Sequence, residues 1–241
     1  MPARDPVPTR AQLLDNGGHT SLRAVVPMNV HAIYNRISPW FRRRRLARFQ
    51  AVFKPTAQTT LLDVGGYPWC WPEEVCPAQI TMVNLEYPHV LPSAPGRRMV
   101  RGDGCALAFP DASFDIGFSN SVIEHVGTWE NQQKFAAGIR RVGRRIWVQT
   151  PAHSFPIEPH LLAPFIHWLP KSAQRPLLRW FTGWGWITKP TPAQVDAFLA
   201  EVRLLTFREM QVLFPDCRIE RERFLWLFTK SYIAVRDSDS R

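Results

Sequence analysis

The chain has 241 residues, 45% of them hydrophobic and 21% charged, with 30 Lys and Arg against 20 Asp and Glu. That length suits one sizeable core, and the balance reads as globular rather than disordered. A formal charge of +10 admits anionic partners but says nothing of fold.

Residues 1–27 open with Met1-Pro2-Ala3-Arg4-Asp5-Pro6 and lack the apolar core of a secretory signal, so a flexible lead-in is expected there. Residues 28–241 are expected to form a single domain. The run Trp40-Phe41-Arg42-Arg43-Arg44-Arg45-Leu46-Ala47-Arg48-Phe49 has apolar residues at near-helical spacing. It predicts a basic amphipathic helix from about Pro39, and its 39–49 face suits an anionic membrane surface or plain solvent. No stretch approaches the roughly 20 apolar residues of a membrane span. The expected location is therefore cytoplasmic, with peripheral membrane contact as an extension of it. The four cysteines (Cys70, Cys76, Cys105, Cys217) have no metal-type pairing or disulfide spacing and read as reduced thiols.

From Thr60 the pattern alternates. Strands are predicted over Thr60–Val64, Ile80–Leu85, near Met99–Arg101, over Ile116–Asn120 and over Arg145–Thr150. Helical stretches fall between them, one starting near Ser121 and one over Lys134–Val142. Such alternation implies a Rossmann-like, doubly wound, mostly parallel α/β sheet that binds its ligand at the carboxyl ends of the strands. Residues 151–192 interrupt it with eight prolines and seven Phe or Trp residues, as expected of an insertion that covers a pocket as a lid. A helix from Leu205 to Phe214 follows. An antiparallel strand pair, Arg223–Leu227 and Ser231–Val235, turning around Phe228-Thr229-Lys230, closes the sequence.

The strand ends carry the chemistry. Leu61-Leu62-Asp63-Val64-Gly65-Gly66 ends the first strand, Asn84-Leu85-Glu86 the second, Gly102-Asp103-Gly104 follows the third, and Ser119-Asn120-Ser121-Val122-Ile123-Glu124-His125-Val126 leaves the fourth. A glycine turn lets a ligand approach the backbone, and a carboxylate at Glu86 can accept from both hydroxyls of a ribose. Tyr67 replaces the second glycine of a pyrophosphate-binding turn and Pro68 removes an N–H donor, which fits a nucleoside better than a dinucleotide.

These motifs, in order over about residues 59–150 and with Leu107-Ala108-Phe109-Pro110 after Asp103, resemble the class I S-adenosylmethionine-dependent methyltransferases of small-molecule type. The resemblance implies S-adenosylmethionine as cofactor. Gly65 and Gly66 would lie along its amino-acid part and ribose, and Asp63 would orient the turn or reach the methionine amino group through water. Glu86 would hold the ribose, Asp103 and Gly104 the adenine edge, and Asn120 would face the methyl group. The segment His153-Ser154-Phe155-Pro156-Ile157-Glu158-Pro159-His160 supplies the candidate catalytic residues His160, His153 and Glu158, since a near-neutral imidazole can take a proton from an acceptor hydroxyl. Their spacing matches no His-x-x-x-His metal site, and no metal is expected.

The expected acceptor is a small molecule methylated on a hydroxyl oxygen, with lipid-linked or glycan substrates suggested by the basic helix and the Trp-rich insertion. An RNA methyltransferase is the enzymatic alternative, and it ranks lower because no Asn/Asp-Pro-Pro-Tyr/Phe clamp follows the fourth strand. A membrane- or nucleic-acid-binding protein on a degenerate fold is the third reading, favoured if Tyr67 fills the pocket.

Overall fold

The computed structural model describes residues 28–71, 76–86 and 95–238, and in it a seven-stranded sheet runs in the order β3-β2-β1-β4-β5-β9-β8. Its strands are β1 (Thr60–Val64), β2 (Gln79–Asn84), β3 (Arg97–Arg101), β4 (Phe114–Asn120), β5 (Gly143–Pro151), β8 (Arg218–Phe224) and β9 (Phe228–Arg236). The first five are parallel, and β9 joins β5 antiparallel before pairing with β8. The chain thus has the Rossmann-like, mostly parallel sheet with a terminal antiparallel pair expected from its alternation. The 1–27 lead-in lies outside the described residues.

Alternating side chains divide the core into two layers. Leu61, Ile80, Met82, Ile116, Phe118, Trp147 and Ile233 face α1 (Met28–Phe53), whose Phe49 and Phe53 complete that layer. Leu62, Val64, Ile146, Val148 and Ala234 face the other side, against Phe135, Ile139 and Val142 of α2 (Trp129–Val142) and Met210 and Leu213 of α6 (Phe207–Leu213). Fully burying one such side chain contributes roughly 1.5–3 kcal/mol, and Phe49, Trp147 and Phe135 are each at most 1% exposed. Thr128 caps α2, and Thr206 with Glu209 forms a capping box on α6, satisfying N–H groups that the first helical turn leaves open.

Several boundaries differ from expectation. The first helix begins at Met28 rather than near Pro39. After β4 the chain makes only a short 3-10 turn, Ile123–His125, before α2, because Thr128 supplies the cap that starts the helix eight residues past Asn120. The hairpin turns at Leu225 and Trp226, both with positive φ, so β9 already starts at Phe228 and the turn is not at Phe228–Lys230.

Between β5 and α6 lies a helical insertion longer than the 151–192 segment. It holds a small hairpin, β6 (Ile157–Glu158) with β7 (Ala163–Pro164), then α3 (Lys171–Phe181), α4 (Gly183–Thr188) and α5 (Pro192–Glu201). Leu161, Ile166, Leu178, Trp184, Val195 and Leu199 give it a core of its own. Trp184 is thus in a small core, whereas Trp180, Phe181 and Trp186 are exposed.

Candidate active site

The strand order changes direction between β1 and β4, and ligands of open α/β sheets bind at such a switch point. Gly65 leaves β1 there with φ +86°, a conformation open to glycine at no steric cost. A Cβ on Gly66 would come within 1.7 Å of Asp63 Oδ2, so only glycine lets the turn close over that carboxylate. The Asn84 side chain donates to the Gly66 carbonyl, and Gly65 N–H donates to Val83 at 2.8 Å. The turn is therefore tied to β2 before any ligand arrives.

Asp63 points into the layer beneath α1. It is 3% exposed and accepts from Trp71 Nε1 at 2.6 Å. Burial, opposed by that hydrogen bond, raises its pKa to about 7. Its role is to support the turn from behind. Tyr67 is partly buried and packs against the same α1-side layer.

Glu86 and Asp103 are exposed just past the ends of β2 and β3. Asp103 Oδ1 accepts from the Cys105 N–H at 2.8 Å, fixing the Gly102–Cys105 turn. Gly104 sits where a Cβ would meet Val64 and Phe135 at 2.8 and 2.9 Å, so the backbone lies close on the sheet. Two acidic side chains at neighbouring strand ends, beside glycine turns fixed from behind, fit an adenosyl group with a diol and an exocyclic amine.

Asn120, at the end of β4, is held from α1. Arg45 of α1 donates to Asn120 Oδ1 at 2.6 Å and to Gln149 Oε1 at 2.5 Å, and its Nε lies 3.4 Å from Glu222. Ser121, with φ 58°, also donates to Gln149 Oε1, at 2.9 Å. A non-glycine residue held in the left-handed region is a mark of functional sites. Ser121 was singled out by the sequence beside Asn120, whereas Arg45 and Gln149 were not given a place in the site. The register of Arg45 with Phe41, Phe49 and Phe53, four residues apart on the buried helix face, is the signal that sets it apart from Arg42–Arg44.

The three candidate catalytic residues separate into two groups. His160 Nδ1 meets Glu158 Oε1 at 2.6 Å, and Glu158 also accepts from the Leu161 N–H. Burial disfavours the imidazolium, but Glu158 and, at longer range, Glu124 and Glu201 outweigh it and raise the His160 pKa. The His160 ring stands perpendicular to that of His125, centroids 4.8 Å apart. His153 instead faces His167 at 5.4 Å, and burial together with that neighbour lowers its pKa. His153 and Glu158 line a cavity of about 350 Å³ that also touches Lys171, Arg203, Thr206 and Glu209. His125 of the motif leaving β4 stands against His160, with Glu124 next to it in the chain. Glu124 is fully buried and accepts from Thr150 Oγ1 at 3.0 Å.

Residues 64–145 match the family model described as a methyltransferase domain. The chain carries a class I S-adenosylmethionine-dependent methyltransferase domain. No curated relative matches it. Among solved structures, the Haloferax volcanii methyltransferase determined with its Trm112 activator is 11% identical, with a TM-score of 0.52 over 86% of this chain and 92% of that one. The Burkholderia thailandensis 1,6-didemethyltoxoflavin-N1-methyltransferase is 15% identical, TM-score 0.49, over 97% and 92%. A methyltransferase of an Anabaena variabilis antibiotic biosynthesis pathway is 16% identical, TM-score 0.49, over 75% of this chain and 64% of its own length. At these identities the likeness is one of fold, and the first of the three carries it. The domain accounts for the enzymatic reading over the non-catalytic one. The cofactor is S-adenosylmethionine, whose sulfonium supplies an activated methyl group when bound.

Proposed function

We propose that this domain methylates a hydroxyl oxygen of a small-molecule acceptor carried on a lipid or glycan. Gly65, Gly66 and Gly104 give the cofactor a close backbone approach, Glu86 takes the ribose hydroxyls and Asp103 the adenine amino group. Asp63 holds the turn, and Asn120, at the end of β4 with its side chain held by Arg45, faces the methyl group in this reading. Displacement at a sulfonium needs alignment and exclusion of water more than covalent help. The protein's remaining task is to remove the acceptor's proton.

The observation that carries the acceptor class is the Glu158–His160 pair, 2.6 Å apart, with the His160 ring against His125 of the turn after β4. Glu158 fixes one imidazole nitrogen, so the other can take a proton from a hydroxyl. The adjoining cavity, about 350 Å³, lies in the size range of small-molecule sites. In this reading the insertion is the lid, and His153 is an acceptor-binding rather than a proton-accepting group.

A lipid-linked acceptor is supported by an aromatic and basic surface. Trp226 at the β8–β9 tip is 90% exposed and flanked by exposed Leu225 and Leu227. The hairpin reaches α1 through Phe224 and Phe41, centroids 6.2 Å apart, and α1 touches α4, where Trp186 is exposed. Arg42, Arg43 and Arg44 are exposed beside exposed Trp40. Trp with Arg is the composition of a membrane interface. Among the described residues no helix is long and apolar enough to cross a membrane, so the contact would be peripheral.

The test is incubation with methyl-labelled S-adenosylmethionine and separated lipid and aqueous fractions of a cell extract, followed by mass spectrometry. Label on a lipid-extractable hydroxyl that disappears with His160→Ala, while cofactor binding persists, supports the reading. Label on nitrogen or on RNA refutes it.

A further inference from the structure

Glu124, His125 and His160 come from two segments 35 residues apart in sequence, yet each offers a ligand atom within 4.8 Å of the others. We propose that these three side chains form a site for a divalent transition metal ion of the zinc class. Two histidines and a glutamate are a donor set that zinc enzymes use with a fourth position left open. The three residues are themselves oriented by neighbours. His160 has Nδ1 on Glu158 at 2.6 Å, and His125 has Nδ1 3.3 Å from Glu201 Oε1. Both rings therefore have Nε2 left for an ion, in the carboxylate–histidine–metal arrangement that fixes tautomer and raises ligand basicity. Glu124 has Oε2 on Thr150 at 3.0 Å.

The observation that asks for a ligand is the other oxygen of Glu124. Oε1 is buried, on a residue 0% exposed, and has no hydrogen-bond partner. An unpartnered carboxylate oxygen in that environment is unfavourable unless something cationic meets it. Tetrahedral bonds of about 2.1 Å need ligand atoms roughly 3.4 Å apart, so the cluster must contract slightly. His125, the most exposed of the three with a side chain 33% accessible, is the one free to move.

The site deepens the acceptor reading and rests on it only for its consequence. An ion bound there takes the His160 nitrogen that would otherwise receive the proton. The acceptor hydroxyl would then bind in the open position, where the ion would lower its pKa so that its proton passes to bulk water. Without the ion, Glu158–His160 remains the base and turnover is insensitive to chelators.

The experiment strips the full chain with a chelator, then titrates it with Co²⁺ and Zn²⁺ in the absence of any methyl donor. The expected result is one Co²⁺ per chain, with intense visible d–d absorption of low coordination number, displacement by Zn²⁺, and a higher melting temperature. Glu124→Gln and His125→Asn should each abolish the absorption. Glu158→Gln, a positioning change, should weaken binding by about 10–100-fold. The metal-free melting temperature of each variant shows whether it is folded, and His125→Asn, at the most accessible position, keeps the test valid if Glu124→Gln does not fold. Absence of stoichiometric binding, or binding unchanged in folded variants, overturns the site and leaves the methyl-transfer reading standing.

Discussion

Asp63→Asn tests whether the glycine turn is held by a buried carboxyl group whose charge the fold disfavours. The Asp63 pKa rises from 3.8 to about 7, chiefly through burial, with the Trp71 hydrogen bond acting in the opposite direction. A folded pKa above the unfolded one means that the native state holds the proton more tightly. Stability is therefore greatest in acid and falls as pH rises from about 4 through 7. At about 1.4 kcal/mol per unit, the raised pKa costs roughly 4 kcal/mol at pH 8, where native Asp63 is ionised, and between 1 and 2 kcal/mol at pH 5, where it still holds a proton that the unfolded chain has lost. Asparagine keeps an oxygen for Trp71 and nearly the same volume beside Gly66, but adds an amide N–H₂ whose burial costs about 1–3 kcal/mol. The variant should be near wild type at pH 5 and more stable by about 1–3 kcal/mol at pH 8. Urea unfolding at pH 5, 6, 7 and 8, comparing wild type with variant, reads this directly. Parallel pH profiles for the two proteins would refute the assignment, because every other titrating group is common to both.

Three further outcomes are expected. Glu86→Ala, at an exposed strand end, should leave thermal stability within about 0.5 kcal/mol but remove most of the melting-temperature rise caused by S-adenosylmethionine, read by differential scanning fluorimetry; an undiminished shift would mean that the ribose lies elsewhere. Arg45→Met removes the partner of Glu222, Asn120 and Gln149 and should destabilise the fold by about 3 kcal/mol in chemical denaturation, whereas Arg43→Met, on the exposed face, should not. Lys230→Met concerns a lysine whose pKa falls to about 8 through burial, with Arg45 and Arg42 adding to the effect against Glu222. A depressed lysine makes stability rise with pH between about 8 and 10.5, by up to roughly 3 kcal/mol before solvent screening, and the variant should lose that rise.

The central sheet was legible because its signals are local. Leu61–Val64, Ile80–Val83 and Ile146–Val148 are short, mostly apolar runs flanked by polar residues or glycine, Thr60 and Gly65, Gln79 and Asn84, Arg145 and Gln149, and near-continuous apolar runs are the mark of buried parallel strands. The insertion was harder to read. Its prolines suggested irregular chain, yet Pro170 and Pro192 stand at helix starts, where a missing N–H does no harm, and Pro176 sits inside α3. The site was legible at its strand ends and opaque where it depends on tertiary approach. Glu158 and His160 are two residues apart and could be paired on paper. His125 meets His160, and Arg45 meets Asn120 and Gln149 across 75 and 104 residues, and no spacing rule brings such residues together.

The same distinction bears on what the charge of +10 means. Much of the arginine is engaged inside the molecule: Arg45 with Glu222, Arg48 with Glu220, Arg203 with Glu209, and Arg236 with Asp216 and with the carbonyls of Arg140, Arg144 and Gly143. Net charge alone would suit a phosphate backbone as well as an anionic bilayer. What separates them is the neighbourhood of the arginines left outside. Arg44 lies over Trp40 at 4.6 Å and Arg179 over Trp180 at 5.2 Å, and the nearby hairpin tip is Leu-Trp-Leu. Aliphatic residues beside exposed indoles gain from a hydrocarbon boundary and gain little from a nucleic-acid groove, where stacking rings rather than leucines are wanted. Replacing Leu225, Trp226 and Leu227 with Ser should therefore reduce sedimentation with anionic vesicles more than replacing Arg42–Arg44 with Gln reduces it in high salt. If the hairpin variant binds vesicles as wild type does, the aromatic surface is not a membrane face, and the lipid-linked acceptor loses its support.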